Sequence, residues 1–248
     1  GGGKLLDIEF LLDINGRRVV AFEFWAGFAG AAVAIKTWCG QQTGAQPVVP
    51  LLHSYASRGA LIDNLSAELK TATAGGSKLA TVMVIGAAGR VGSGAAALAE
   101  ALDLSLTGWD MAETVQGGPF VEVLAHDIFI NCALVHQPLP PFVTRELLEK
   151  PQRQLSVISD VSCDPYGDYN PLPIYHECTT FEQPTLRLIE APRPLDIIAI
   201  DHLPSMLPVE ASEDFSRQLL PHLLQLDDVS NSVWSGAIDI FKAKINLL

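Results

Sequence analysis

From residue 79 onward, short runs of apolar residues alternate with helical segments and polar turns. Each run is about as long as one strand, and its apolar residues are consecutive, which is typical of strands buried on both faces. The segment GAAALAEAL between the first two runs has the composition of a helix. This pattern predicts an α/β domain with a Rossmann-like, doubly wound parallel sheet and helices on both faces. The predicted strands are residues 80–86, 104–110, 127–134, 155–162 and 195–201.

The segments on either side of this region have different patterns. The start of the chain predicts two short strands around an Asn15-Gly16 turn, a pattern more typical of the end of a domain than of its beginning. Ala-rich and apolar composition predicts helices at residues 26–42 and 60–72, and a polar linker follows at 71–78. Residues 212–226 and 231–248 open with Ser or Asn caps and carry apolar residues at helical spacing. They predict helices that pack on a neighbouring domain.

Composition and charge narrow the classes of partner. The 248 residues are 48% hydrophobic, which allows a sizeable core, and the formal net charge is −12. That charge argues against nucleic acid and anionic membranes, since both bind basic surfaces. The longest apolar run, residues 24–35, is too short to span a bilayer. We therefore expect small-molecule substrates and, because nothing in the sequence marks secretion, a cytoplasmic protein.

The four cysteines have neither CxxC spacing nor histidines at metal-ligand intervals. We therefore expect reduced, mostly buried thiols and no metal site. The cysteines are Cys39, Cys132, Cys163 and Cys178.

A glycine cluster follows the first predicted strand, with the spacing G-x-x-G-x-x-G-x-G from Gly86 to Gly94. It departs from G-x-G-x-x-G in its first interval, but it joins a strand to a helix, and Asp110 ends the next strand. Such a loop lets the backbone approach a pyrophosphate, and the acid can accept hydrogen bonds from both ribose hydroxyls. An acid there repels a 2′-phosphate, which favours NAD over NADP, although Arg90 in the loop could hold a phosphate of either cofactor. The alternative is a strand-to-helix turn that is rich in glycine only for tight packing.

Polar residues also follow two later strands. Asp160 lies in VISDVSCD, and Asp201-His202 follow LDIIAI. Ligands of open α/β sheets bind outside the carboxyl ends of the strands, so these groups are placed for contact with substrate or nicotinamide. An acid beside an imidazole can also tune proton transfer. The alternatives are turn capping for Asp201 and His202, and a rigid connector for the nearby loop NPLPIY, residues 170–175. Arg17 and Arg18 are either a solvated pair or a carboxylate clamp.

Six stretches carry a resemblance that extends over nearly the whole chain. They are GRRVVAFEFWAGFAGAA, VIGAAGRVGSGA, WDMAETVQGGPF, DIFINCAL, DVSCDPYGDYNPLPIY and IDHLPSMLPVEASEDFSRQLLPHL. On these residues the chain resembles the NAD-dependent, L-lysine-forming saccharopine dehydrogenases. The resemblance implies oxidation of saccharopine by NAD and hydrolysis to L-lysine and 2-oxoglutarate. It also implies a monomer of two domains, distantly similar to alanine dehydrogenase and transhydrogenase, with the active site in the cleft between the domains.

The resemblance assigns roles to individual residues. Arg18 matches an arginine that binds a substrate carboxylate, and Phe22 matches its neighbour at the domain junction. Asp201 matches an aspartate that faces the catalytic cleft, and we expect it to support proton transfer together with His202. The NAD site is expected at Gly86, Gly89, Arg90, Val91, Gly92, Asp110 and Asp160. Val91 stands where the family can carry a cysteine, so Cys132 lacks that potential disulfide partner.

The resemblance also implies a division of the chain. Residues 1–21 match the end of a substrate domain, 22–78 an interdomain helix and connecting segment, 79–208 the NAD-binding domain, and 209–248 helices that return to the substrate domain. The principal acid and base are expected to be a lysine and a histidine in a preceding N-terminal segment of the same enzyme, for which this sequence has no counterpart. Two alternatives remain: another amino-acid or amine dehydrogenase of the same architecture, and a noncatalytic NAD-binding module.

Overall fold

The computed structural model describes residues 3–227 and 232–245. The chain divides into two compact units. The larger unit is Glu23–Pro208, and the smaller unit combines Gly1–Phe22 with Val209–Leu248. Each unit has its own apolar core.

The larger unit is built on a six-stranded sheet with the order β2-β1-β3-β4-β6-β5. All neighbouring strands run parallel except β5, which pairs antiparallel with β6 at one edge. Five of the six strands lie within the predicted runs, so the predicted parallel sheet is confirmed. β5 is the strand that the apolar pattern did not predict. The strands are β1 Thr81–Ile85, β2 Ser105–Trp109, β3 Ile128–Asn131, β4 Val157–Asp160, β5 Leu186–Ile189 and β6 Leu195–Ile198.

Helices of the larger unit cover both faces of the sheet. One face, which includes Val82 and Val84, packs against the three longer helices of this unit, α1 to α3. The other face, with Met83 and Ile85, is covered by short elements and by the loop that carries Tyr175. The doubly wound arrangement is therefore present, with long helices on one side and short ones on the other. The helices are α1 Glu23–Thr43, α2 Arg58–Ala72, α3 Arg90–Ala101, α4 Met111–Thr114 and α5 Arg145–Leu148, with a 3₁₀ helix at Val121–Ala125.

The first helix, α1, is part of the same core as the sheet. A Cβ on Gly27 would lie 1.8 Å from the Val91 carbonyl oxygen, and one on Gly94 would lie 1.9 Å from the Phe24 carbonyl oxygen. The two glycines thus let the backbones of α1 and α3 approach each other closely. Residues 23–78 pack within one unit with the sheet. The assignment of residues 22–78 as an interdomain helix and connecting segment stays a prediction.

The smaller unit contains a 3₁₀ helix at Ile8–Phe10 and the helices α6 Pro208–Leu223 and α7 Ser232–Ile245. Leu11 is buried against Val233, Trp234 and Ala237. The predicted turn is present, since the Gly16 N–H donates to the Asp13 carbonyl oxygen at 3.0 Å, but the two predicted strands reduce to one bridge between residues 12 and 18. The first strand is replaced by the 3₁₀ helix, because the carboxylate of Asp7 caps it by accepting the Glu9 N–H.

The N-terminus of α6 also differs from the prediction. Ser212 was predicted as its N-cap, but the helix begins at Pro208, four residues earlier, and Ser212 lies inside its first turns. A proline is well tolerated at the first helical position because the N–H that it lacks has no intrahelical acceptor there. The Asn cap predicted at residue 231 lies outside the described residues.

Candidate functional site

The residues predicted for the NAD site lie along one edge of the sheet. In the strand register, Ile85 pairs with both Trp109 and Asn131, and Asn131 pairs with Asp160. The parallel strands β2, β1, β3 and β4 therefore end side by side. The chain leaves β1 for β2 on one side and returns to β3 on the other, which makes the β1–β3 boundary a topological switch point. Dinucleotides bind in the crevice outside such a point.

The glycine loop begins at this switch point. Gly86 has φ +85°, and a Cβ there would lie 2.9 Å from the carbonyl carbon of Cys132, the residue after β3. A Cβ on Gly92 would lie 2.1 Å from the Gly86 carbonyl oxygen. Gly89 is the N-cap residue of α3. The loop thus folds back on itself with no side chain at Gly86, Gly89 or Gly92, and the first N–H groups of α3, which have no intrahelical acceptors, lie next to it.

Asp110 lies directly beside this loop. Its Oδ2 accepts the Ala88 N–H at 2.8 Å, and its Oδ1 accepts the Met111 N–H at 2.8 Å. The Asp110 N–H in turn donates to Glu113 Oε2 at 2.8 Å, which completes a capping box at α4. The carboxylate is therefore fixed at the end of β2 and against the glycine loop, the position from which an acid reaches the ribose in dinucleotide-binding folds.

Arg90 has a partner within the larger unit. Its Nη2 lies 3.0 Å from Glu23 Oε1, and its Nε lies 2.6 Å from Glu23 Oε2, so the guanidinium holds the carboxylate in a two-point pair. The expected contact of Arg90 with a cofactor phosphate stays a prediction. Val91 is half-buried and contributes its carbonyl oxygen to the close packing against Gly27.

Asp160 is enclosed by hydrogen-bond donors at the end of β4. Its Oδ1 accepts the Asn131 Nδ2 at 2.9 Å and the Ser162 hydroxyl at 2.6 Å. Its Oδ2 accepts the Tyr175 hydroxyl at 2.7 Å. The side chain is 1% exposed. The carboxylate thus holds β3, β4 and the loop of Tyr175 together, and a direct contact with cofactor would have to displace one of these donors.

Tyr175 remains a hydrogen-bond donor over the whole physiological pH range. Burial, and next the charge of Asp160, raises the pKa of Tyr175 far above that of a free tyrosine, so the phenol keeps its proton. The sequence reasoning missed Asn131, Ser162 and Tyr175 as parts of the site. For Asn131 a signal existed, because it is a polar residue inside the otherwise apolar run IFIN.

Asp201 and His202 lie beyond the end of β6, and both are exposed. The His202 ring stacks on Phe181 with 5.0 Å between ring centroids and an interplanar angle of 26°. His202 precedes a 3₁₀ helix at Leu203–Met206 but makes no side-chain cap to it. Side-chain capping therefore does not account for His202, and its expected support of proton transfer stays a prediction.

The two substrate-binding predictions fall in the smaller unit. Arg18 forms an ion pair with Glu9, and both side chains are exposed. Phe22 stacks on Phe215, with ring centroids 4.4 Å apart and an interplanar angle of 21°. Both side chains thus have partners within their own unit, and their roles stay predictions.

Cavities lie at both ends of the sheet in the larger unit. A cavity of about 70 Å³ is lined by Ala133, Ser162 and Asn170, on the carboxyl side of β3 and β4. A larger one of about 570 Å³ is lined by Arg145, Arg153 and other residues that precede β4 and β6, away from the glycine loop. In the described ranges, no three His, Cys, Asp or Glu side chains are grouped closely enough to hold a metal ion. No helix in the same ranges is long and apolar enough to cross a membrane.

The strand order, the switch point and the glycine loop beside Asp110 define a Rossmann-type dinucleotide-binding protein. No protein-family model matches the chain. Curated relatives do match it along almost its full length. Saccharopine dehydrogenase [NAD(+), L-lysine-forming] of Yarrowia lipolytica is 49% identical over 247 residues, which cover 97% of this chain and 67% of that protein. The chain belongs to the family of NAD-dependent, L-lysine-forming saccharopine dehydrogenases.

Two further relatives of the same name support this assignment. The Neurospora crassa protein is 48% identical and the Schizosaccharomyces pombe protein 41% identical, each over 100% of this chain. The matches cover 68% and 69% of those two proteins, so the chain spans about two thirds of the length of its relatives. Among solved structures, an L-alanine dehydrogenase superposes with a TM-score of 0.56 at 19% identity, over 97% of this chain and 62% of that chain. That likeness confirms the fold class.

Proposed function

We propose that the chain carries the NAD site and part of the substrate site for the oxidative cleavage of saccharopine to L-lysine and 2-oxoglutarate. The relatives' shared name supports the reaction. The observation that carries the proposal in the structure is the glycine loop fixed against Asp110 at the switch point of the sheet. Saccharopine, L-lysine and 2-oxoglutarate are thus the small-molecule partners.

The residues at the switch point fit NAD. Because Gly86, Gly89 and Gly92 have no side chains, a pyrophosphate can approach the backbone of the loop at these positions and the N-terminus of α3. Asp110 accepts hydrogen bonds from the ribose hydroxyls, and its negative charge disfavours the binding of a 2′-phosphate. When bound, NAD would supply a hydride acceptor for a carbon bonded to the secondary amine of saccharopine, and the resulting imine would be opened by water.

Asp160 acts on this site through its neighbours. Because three donors already enclose its carboxylate, it is a positioning residue that fixes Asn131 and the loop of Tyr175 at the carboxyl edge. The direct contact of Asp160 with NAD that the sequence suggests stays a prediction beside this role. Held this way, the polar groups beside the cofactor need little reorganisation when substrate binds.

Substrate binding and proton transfer draw on further residues. Arg18 binds a substrate carboxylate, which requires that it exchange its ion pair with Glu9 for the substrate. Phe22 is its apolar neighbour. Asp201 and His202 support proton movement, while the principal lysine and histidine belong to a segment outside this sequence. We also propose that the protein is a monomer, as the family resemblance implies, and that it is cytoplasmic.

The test is NADH oxidation by the purified protein with L-lysine and 2-oxoglutarate added together and then each alone. The proposal predicts a rate that requires both compounds, with saccharopine identified as product by mass spectrometry. NADH binding without turnover would assign the essential proton-transfer groups to the segment outside this sequence. A rate with other amines in place of lysine, or no binding of NADH, would contradict the proposal.

A further inference from the structure

Two cysteines meet at the carboxyl edge of the sheet, next to the Asp160 cluster. The Sγ atoms of Cys163 and Cys178 lie 3.4 Å apart, in van der Waals contact, and both thiols are free. Cys163 follows Ser162, which contacts Asp160, and Cys178 follows Tyr175 by three residues. The two cysteines therefore bracket the loop that delivers Tyr175 to Asp160.

Cys163 has an unusual backbone conformation. Its φ is +48°, in the left-handed region that residues other than glycine rarely adopt. Such a conformation persists only where the surrounding structure enforces it, and it is frequent at functional positions. A disulfide requires the two sulfur atoms to approach to about 2.05 Å. From 3.4 Å, the two sulfur atoms must come closer by about 1.4 Å to form this bond.

The two thiols differ in accessibility. Cys178 is exposed and Cys163 is half-buried. Burial, then the contact with Cys178 and the nearby charges of Asp160 and Asp201, raises the pKa of Cys163, which stays protonated. Cys178 is therefore the thiol that meets an oxidant from solution, and Cys163 is placed to resolve the product.

We propose that Cys163 and Cys178 are a redox modification site that forms a reversible intramolecular disulfide with hydroperoxides. The sulfur of Cys178 attacks one peroxide oxygen, the O–O bond breaks, and sulfenic acid and water result. The sulfur of Cys163 then attacks the sulfenic sulfur, the S–O bond breaks, and hydroxide leaves as water with the proton of Cys163. In sum, two thiols lose two electrons and two protons, and one hydrogen peroxide becomes two waters. A dithiol reverses the reaction, and the ring closed between the two cysteines fastens the loop of Tyr175.

The test uses stoichiometric hydrogen peroxide, alkylation of the remaining thiols under denaturing conditions, and mass spectrometry. No Lys or Arg lies between Arg153 and Arg187, so trypsin places both cysteines on peptide 154–187. We expect this peptide to lose two hydrogen atoms and to resist alkylation. Cleavage before Asp160, Asp164 and Asp168 should leave segments 160–163 and 168–187 joined until dithiothreitol is added.

Two serine variants and the two remaining cysteines serve as controls. Cys163→Ser and Cys178→Ser should each abolish the cross-link, and Cys39 and Cys132 should remain alkylated in every sample. The proposal is wrong if Cys178 proceeds to sulfinic acid with Cys163 still a free thiol. It is equally wrong if peroxide leaves both thiols free, or if the disulfide joins two copies of the chain.

Discussion

Replacing Tyr175 by phenylalanine removes one donor from the Asp160 carboxylate and leaves the shape of the buried ring unchanged. Tyr175 is 2% exposed and Asp160 is 1% exposed, so water does not take the place of the hydroxyl. The lost bond is 2.7 Å long and ends on a charged oxygen. Because hydrogen bonds to charged groups contribute about 1.5–3 kcal/mol, we expect Tyr175→Phe to lower the free energy of unfolding by that amount.

The assay is equilibrium unfolding in urea, followed by tryptophan fluorescence and circular dichroism. The urea concentration at the midpoint of unfolding should fall. The slope of the free energy of unfolding against urea concentration should stay unchanged, since the variant exposes the same surface on unfolding. Tyr166→Phe is the matched control, because Tyr166 lies in the same loop and is 77% exposed. We expect its effect to stay within about 0.5 kcal/mol. If Tyr175→Phe were as stable as this control, the Asp160 cluster would not hold the loop in place.

Two further predictions concern the packing of α1 on α3 and the response to alkaline pH. Gly94→Ala should destabilise the protein by about 1–3 kcal/mol in the same assay, because its Cβ meets the backbone of α1. Gly59→Ala should not destabilise the protein, because the nearest atom to its added Cβ is a side-chain oxygen 3.7 Å away. Equal stability of the two variants would contradict this reasoning. Burial, and next the charge of Glu68, raises the pKa of Cys39 from 9.0 to about 12, so the folded state keeps a proton that the unfolded state loses. The stabilisation is complete below pH 9 and is lost toward pH 12, so Cys39→Ala should flatten the fall of stability in this range by about 1.4 kcal/mol per pH unit. An unchanged slope would show that the Cys39 thiol is not protected in the folded state.

Four of the five strands that the sequence predicted are more buried than the one that it missed, and β2, with mostly exposed residues, is the exception. β1, β3, β4 and β6 are almost fully buried, so their apolar residues are continuous and easily recognised. β5 is a half-buried edge strand of four residues that includes Arg187. Arg187 is accommodated because its Nε donates to Asp196 Oδ1 at 2.7 Å, a partner on β6 that local pattern does not indicate.

The candidate site shows a similar division. Gly86, Gly92 and Asp110 follow from spacing, because a strand, a turn and a helix N-terminus are local features. The enclosure of Asp160 does not follow from spacing, because its donors come from three separate segments: β3, the residues after β4, and the loop that carries Tyr175. From the sequence alone, that loop could equally be a rigid connector. The pair between Arg90 and Glu23 likewise joins two helices that are far apart in the sequence.

The pairing of NAD with Asp110 is tested most directly by fluorescence titration of NADH and NADPH against wild type and Asp110→Asn. The Asn variant removes the charge and keeps one oxygen that can accept the Ala88 N–H, although it loses the acceptor of the Met111 N–H. We expect the wild type to bind NADH more tightly than NADPH, and the Asn variant to lose at least about tenfold of that preference, or roughly 1.4 kcal/mol. An unchanged ratio of the two affinities, or tight NADPH binding by the wild type, would contradict the assignment of Asp110 as the residue that selects NAD.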